Sequence, residues 1–409
     1  MRLALVRARF LAALGLPVFA AAACSGSGSE PVWPTPPKQS HSGPWIPQLP
    51  QKEDSGDRLP SCPSGPFCVP ASATAPDKPA AAPFESCASS VEAPAELQLG
   101  PPGSIQVGFW DKLTQHERQG DPAACCYNWW QPCPGGRPLR GREGEVVAET
   151  VQRDGWVAGA AAIAVKDIAV DGLSTDKRAL LAAHWAQEAA FEHASVASFG
   201  RAALALLSHG APSDLVARAH MAAAEEVEHA RVGYALSSAY SGEVRGPGPL
   251  PVADLAPLPG TLAALAVETF LDGCVNETVA ALTLAEAADR TKGATLRSLL
   301  RGIASDEERH AELGWLTVGW AVRAGGADVI AALERAVAGV KAELSSPAPR
   351  PPAGELDGTA HGVLSAAARL ATRRAALAQV IVPCAEALLA SAARRSVGIL
   401  LSPSRIAAS

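Results

Sequence analysis

The chain has 409 residues, 48% of them hydrophobic, and its 41 acidic and 35 basic side chains leave a net charge of −6. That length supports more than one buried core. A mildly acidic balance with no basic block excludes a nucleic-acid footprint, and the abundance of Ala and Leu beside scarce Tyr and Phe favours helices.

Residues 1–24 read as an export signal. Arg2, Arg7 and Arg9 make a positive start, and `FLAALGLPVFAAAA` (10–23) is an apolar run too short to span a membrane comfortably. The run ends in `AAAC`, which resembles a bacterial lipoprotein signal, although Ala21 stands where such signals usually carry Leu. The resemblance implies lipidation at Cys24, a membrane anchor at the cell envelope, and, from Ser25, onward sorting to an outer membrane. The other reading is an ordinary cleaved signal peptide or a short anchor.

Residues 25–105, rich in Pro, Ser, Gly and Ala, cannot bury enough apolar surface to offset their chain entropy and read as a disordered, extended tether. Residues 106–174 follow as a small cysteine-containing module. Cys62, Cys68, Cys87, Cys125, Cys126 and Cys133 are disulfide candidates in an exported chain, with fifteen pairings open. Zinc is disfavoured, since no Cys-x-x-Cys pair occurs and His116 is the only nearby imidazole. Cys274 and Cys384 fall in apolar helical runs and read as small core residues.

From about residue 175 the pattern becomes helical and the class all-α. Helices are expected over 176–208, from an N-cap at Ser213 to about 240, over 261–289 and over 294–323. Further helical stretches follow over 327–345 and 359–397, with a kink or stop before Pro383. The turns `SHGAP` and `DRTKGA` are short, whereas `SGEVRGPGPLPVADLAPLPG` (241–260) is long and Pro-rich. Such a link reaches ~60 Å at about 3.1 Å per residue, more than the ~42 Å of a 28-residue helix. The pattern predicts a four-helix bundle with one long crossover over 175–325, and additional C-terminal helices over 326–409 that cover its side or form a homodimer face.

Two helices carry Glu-x-x-His, as `EEVEHARVGY` (225–234) and `DEERHAELGW` (306–315). Counted from the first turn, Glu192 lies level with Glu226 and His229; counted from the second, Glu277 lies level with Glu307 and His310. Glu268 misses its level by nine residues and faces the other way. Four carboxylates on apolar faces would be costly to bury and would repel one another. Two divalent cations remove both costs, and imidazole with carboxylate suits iron or manganese.

One Glu from each of two helices plus Glu-x-x-His from each of the other two resembles the ligand set of the ferritin-like di-iron carboxylate superfamily, with its rubrerythrins and bacterioferritins. `FEHASVASFGRAALALLSHGAP` is further similar to exported myxobacterial ferritin-like proteins. The resemblance implies two iron ions on Glu192, Glu226, His229, Glu277, Glu307 and His310, with Glu226 and Glu307 bridging. Glu188, His193 and Tyr234 are neighbours expected around that set, while Glu225, Glu228, Glu308 and Arg309 read as a solvated face. Trp315 and Trp320 read as packing residues. The activity implied is oxidase, peroxidase or oxygenase chemistry with an electron donor the sequence leaves unknown. The alternative is a non-catalytic metal-binding or cell-surface interaction module. Rubredoxin-like cysteine pairs are absent, which argues against a rubrerythrin-type peroxidase cycle.

Overall fold

The computed structural model describes residues 1–17, the strands 64–70, 109–112 and 124–130, residues 136–157 except 143, residues 165, 168 and 170, and then 172–253, 255–346 and 358–400. The lipidation candidate Cys24 and the disulfide candidates Cys62, Cys87 and Cys133 lie outside these residues.

Helices dominate. Helix α1 is Arg2–Ala13. Helix α2 spans Thr175–Ser208, and its N-cap Ser174 accepts from the Lys177 amide, relieving one of the amides that a helix start leaves unpaired. Helix α3 spans Ser213–Ser241; its N-cap is Pro212, so Ser213 is its first residue rather than the expected cap. Gly242, at φ +80°, ends it in the left-handed conformation that suits glycine.

Next come α4 (Leu262–Thr269), capped by Thr261, a π-helical stretch Phe270–Asn276, and α5 (Glu277–Arg290) as one continuous rod. Helix α6 (Ala294–Ser345) contains a break at Gly326, φ 57° and ψ −135°. The two separate helices expected around Gly325–Gly326 therefore meet at a kink in a region essentially reserved for glycine. Helices α7 (Ala366–Ala376) and α8 (Val382–Leu400) flank a second π stretch, Leu377–Ile381. Pro383 sits just beyond that stretch, which is where a missing backbone donor disturbs the helix.

Helix α2 packs along α3, and α5 packs along α6. The pairs join through α3 and α6 and through an apolar core that includes Phe199, Leu206, Ala219, Leu265 and Leu313. On the far side of α6, Phe270, Trp315, Val318 and Val337 form a second core with Leu377, Val380 and Ile381. By length and composition, Ala294–Ser345 and Ala366–Arg394 each contain an 18-residue stretch apolar enough to cross a membrane, with mean hydropathies of 1.3 and 1.7. For α6 the apolarity is matched by two packed flanks.

One expectation needs correction. Ser64–Pro70, placed in the extended tether, forms strand β1; it pairs antiparallel with β3 (Ala124–Trp130), which also pairs with β2 (Phe109–Lys112). Phe67 and Val69 give this stretch the β-forming side chains that its Pro-rich surroundings lack. In that register Cys68 stands opposite Cys126. Within the all-α part, the long link carries one short strand, β5 (Arg245–Pro247), which pairs with β4 (Thr150–Gln152).

Residues 136–142 form a strap across the helices. Ser195 and Ser198 of α2 donate to the Arg137 and Pro138 carbonyls, both at 2.8 Å, and Arg140 grips the buried Asp272 with two guanidinium nitrogens. Helix α1 lies on the opposite flank, where Val6, Phe10 and Leu14 join the Trp315 core.

Candidate metal centre

The helix pairs bring Glu192 (α2), Glu226 and His229 (α3), Glu277 (α5), and Glu307 and His310 (α6) together. Glu226, Glu277 and Glu307 are wholly buried, His229 and His310 are 3% and 2% exposed, and Glu192 is half-buried with its Oε2 enclosed. They form two groups that could hold a metal ion: Glu192, Glu226, His229 and Glu307, and then Glu226, Glu277, Glu307 and His310. Within each group the ligand atoms lie within 4.8 Å of one another, and Glu226 and Glu307 belong to both.

Both imidazoles point Nδ1 inward. His229 Nδ1 lies 3.3 Å from Glu226 and 3.1 Å from Glu307; His310 Nδ1 lies 3.2 and 3.4 Å from the same two carboxylates. These separations are short, yet none has hydrogen-bond geometry, so both Nδ1 atoms are buried without a partner. The same holds for both oxygens of Glu226, Glu277 and Glu307. So many orphaned donor atoms around one point are costly in a folded core unless something bridges them. A cation is the species that satisfies oxygens and imidazole nitrogens together.

The outer ring nitrogens are occupied. His229 Nε2 meets Asp306 at 3.2 Å and His310 Nε2 meets Glu225 at 2.8 Å. With a carboxylate at Nε2, that nitrogen keeps its proton, so the proton to be given up to a cation is the one on the inner Nδ1. Arg309 donates to both Glu225 and Asp306, each at 2.6 Å, and ties the two outer carboxylates together.

Electrostatics reflect the crowding. Burial, then the neighbouring Glu226 and Glu307, pushes the Glu192 carboxyl well above its usual range. Burial and Glu307 do the same to Glu277. Burial also opposes charge on Glu226 and Glu307, but His229 and His310 outweigh it and hold both low. Burial works against protonating the imidazoles, yet their carboxylate neighbours, Asp306 first for His229 and Glu225 first for His310, keep both well above the ordinary histidine value.

The remaining expectations divide. Arg309 is exposed, as expected of a solvated face, whereas Glu225 is only partly exposed and orients His310, with Arg309 holding it from the solvent side. Glu308 meets Arg9 at 3.0 Å, while Glu228 pairs with Arg231 on the surface. Glu188 lies near Arg369, and burial raises its carboxyl. The His193 ring packs edge-on against Trp156, 4.9 Å between centroids, so it turns from the centre. Tyr234 is buried in an apolar cluster with Ala189, Ala230 and Trp156.

The residue the sequence reading missed is Asp306, along with the outer role of Glu225, and a signal for both existed. Residues 225–233 and 306–314, `EEVEHARVG` and `DEERHAELG`, are one pattern: acid, Glu, two residues, His-Ala, two residues, Gly. Each leading acid holds the histidine of the other copy. Each closing glycine lies where its helix touches the one bearing the third carboxylate. A Cβ on Gly233 would stand 2.8 Å from the Ala189 Cβ, and one on Gly314 would stand 2.7 Å from the Gly273 carbonyl carbon.

Compared with known proteins, the chain matches no protein-family model, no curated protein and no solved structure.

Proposed function

We propose that α2, α3, α4–α5 and the first half of α6 are a ferritin-like four-helix bundle housing a di-metal carboxylate centre of oxidase, peroxidase or oxygenase type. One observation carries the reading: two ligand groups share Glu226 and Glu307, so two cations bridged by those carboxylates complete both at once. Bound there, two iron ions, or manganese, would supply the binding and reduction of dioxygen or peroxide.

The chain's own part is positional. Glu226 and Glu307, common to both groups, would help hold both ions, Glu192 and Glu277 would each serve one, and His229 and His310 would offer Nδ1 once deprotonated, their rings set by Asp306 and Glu225. Phe199 stands edge-on to His310 at 5.0 Å and keeps that side apolar. Gly136, at φ +83°, turns the strap against Glu192, so close that a Cβ there would touch Oε2 at 3.6 Å. This enclosure favours a second reading, a non-catalytic metal-binding module, because little of the centre faces solvent. Read as a lipoprotein signal, `AAAC` would put either version at the cell envelope through a lipidated Cys24.

The test is elemental analysis of the full chain loaded with iron in air, followed by oxygen uptake with a reductant. Two ions per chain, a visible charge-transfer band and turnover are expected. Two ions without turnover select the binding module, and no stoichiometric metal sinks the centre.

A further inference from the structure

Beside the Glu/His centre, with Phe199 touching both, lies a small cavity between α2, α3, α4 and α6. Its walls include Phe199, Leu206, Leu265, Thr269, Thr317 and Arg137 of the strap. Its volume is about 10 Å³, close to the minimum for one water-sized guest. The walls are apolar apart from one guanidinium and two hydroxyls.

Arg137 is the anomaly. It is 5% exposed, its Nε is buried without a hydrogen-bond partner, and among the described residues it forms no ion pair. The nearby carboxylate, Asp272, is already gripped by Arg140. The guanidinium rests over the Phe199 ring, Cζ 5.5 Å from its centroid, a weak substitute for a counter-charge. A buried charge normally has a partner, because leaving it unpaired is expensive.

The two hydroxyls behave unusually as well. Thr278 and Thr291 return theirs to helix carbonyls four residues back, at 2.6 and 2.7 Å. Thr269 and Thr317, each 3% exposed, make no such bond among the described residues. One fixed cation and two free hydroxyl donors around a water-sized space are the components of a monovalent anion site.

We propose that this cavity binds a small monovalent anion of halide size, held by Arg137 with Thr269 and Thr317. Size excludes phosphate and sulfate, and the single compensating charge excludes dianions. The inference does not rest on the metal reading, since none of the three residues belongs to either ligand group.

The experiment uses the full chain, purified free of halide in gluconate buffer and titrated with sodium chloride or bromide against sodium gluconate at matched ionic strength. A saturable rise in melting temperature of roughly 5 °C is expected from linkage to the folded state. Arg137→Gln should lose it, and Thr317→Val should shift its midpoint to higher concentration. Crystals soaked in bromide should show an anomalous peak between Arg137, Thr269 and Thr317. That measurement needs no variant, so it decides the matter even where Arg137→Gln fails to fold. A peak only among the Glu/His ligands or only at the surface would overturn the proposal. So would an unsaturable response shared equally by wild type and Arg137→Gln.

Discussion

Burial raises the Glu192 and Glu277 carboxyls, and this sets how the centre responds to pH. Their folded pKa values lie well above the unfolded ones. As pH rises from the usual carboxylate range, the unfolded chain therefore gives up these protons first, and the metal-free fold loses stability. His229 and His310 act in the same direction. Their raised folded values stabilise the chain fully below the ordinary histidine pKa, and that stability is lost as pH climbs through the folded values. Glu226 and Glu307, held low, contribute stability above the carboxylate range that is lost only in acid. A bound cation replaces the protons, so metal-dependent stabilisation must grow with pH. Urea melts from about pH 5.5 to 8.5 should fall with pH in chelator and fall less, or rise, with metal; parallel curves would dismiss the account. The outer carboxylates give a second expectation. Glu225→Gln and Asp306→Asn should each weaken metal binding by roughly 10–100-fold, as loss of a partner behind a ligand histidine does. Glu228→Gln, on the exposed side of α3, should leave it unchanged. Equal effects from all three in metal titrations would count against oriented imidazoles.

Between elements, backbone proximity decides whether ligands from different helices reach each other. Gly314 and Gly273 let α6 and the π stretch touch, and Gly233 lets α3 touch α2 at Ala189. Gly314→Ala and Gly233→Ala should therefore destabilise the fold by about 1–3 kcal/mol through overpacking and lower metal occupancy as the helices part. Gly302→Ala, on α6 with nothing within 4 Å of the added carbon, should instead stabilise by about 0.5–1 kcal/mol. Calorimetry that gives all three the same sign would remove the argument. The crossings also show where sequence reading succeeds and fails. Ligand heights were legible because they depend only on helical rise and turn position, and Glu192, Glu226, Glu277 and Glu307 duly meet. The contact on α2, Ala189, is three residues before Glu192, whereas on the other rod Gly273 is four before Glu277. The π stretch takes up that extra residue, and a fixed periodicity cannot reveal it. Glu225 and Asp306 were hidden for another reason: a carboxylate on a helix flank looks the same whether it meets water or an imidazole across the interface. The strap residues 136–142 have no periodicity at all, so their place on α2 follows only from tertiary partners such as Ser195 and Ser198.

At the scale of the whole molecule, residues 1–24 have two competing uses. As a leader they would be removed or lipid-linked at Cys24, yet α1 is docked as part of the core. Phe10 is wholly buried with its ring 6.0 Å from that of Trp315, and Leu14 occupies the space left by Gly319, where a Cβ would lie 2.9 Å from Leu14 Cδ2. The arginines that read as a signal's positive start have partners: Arg9 meets Glu308 at 3.0 Å and Glu312 at 2.6 Å, and Arg2 meets Asp289 at 2.7 Å. Arg7 donates at 3.5 Å to the Gln379 carbonyl, an acceptor freed because Pro383 four residues on has no amide hydrogen. Exposed ion pairs are worth about 0–1 kcal/mol each, so the apolar contacts must carry the docking. Phe10→Ala should cost roughly 3–5 kcal/mol and shift tryptophan emission to the red as Trp315 meets water, while Arg9→Ala should change stability by less than about 1 kcal/mol. Reversed magnitudes would mean that charge, not burial, seats the helix. The intact mass of the protein from its own cells separates the two uses. A chain retaining Met1 or Arg2 keeps α1 as its own packing element. A lipidated chain starting at Cys24 leaves Trp315, Val318 and Val322 to be covered by something else, and full-length and trimmed forms should then differ in melting temperature by the Phe10 effect or more.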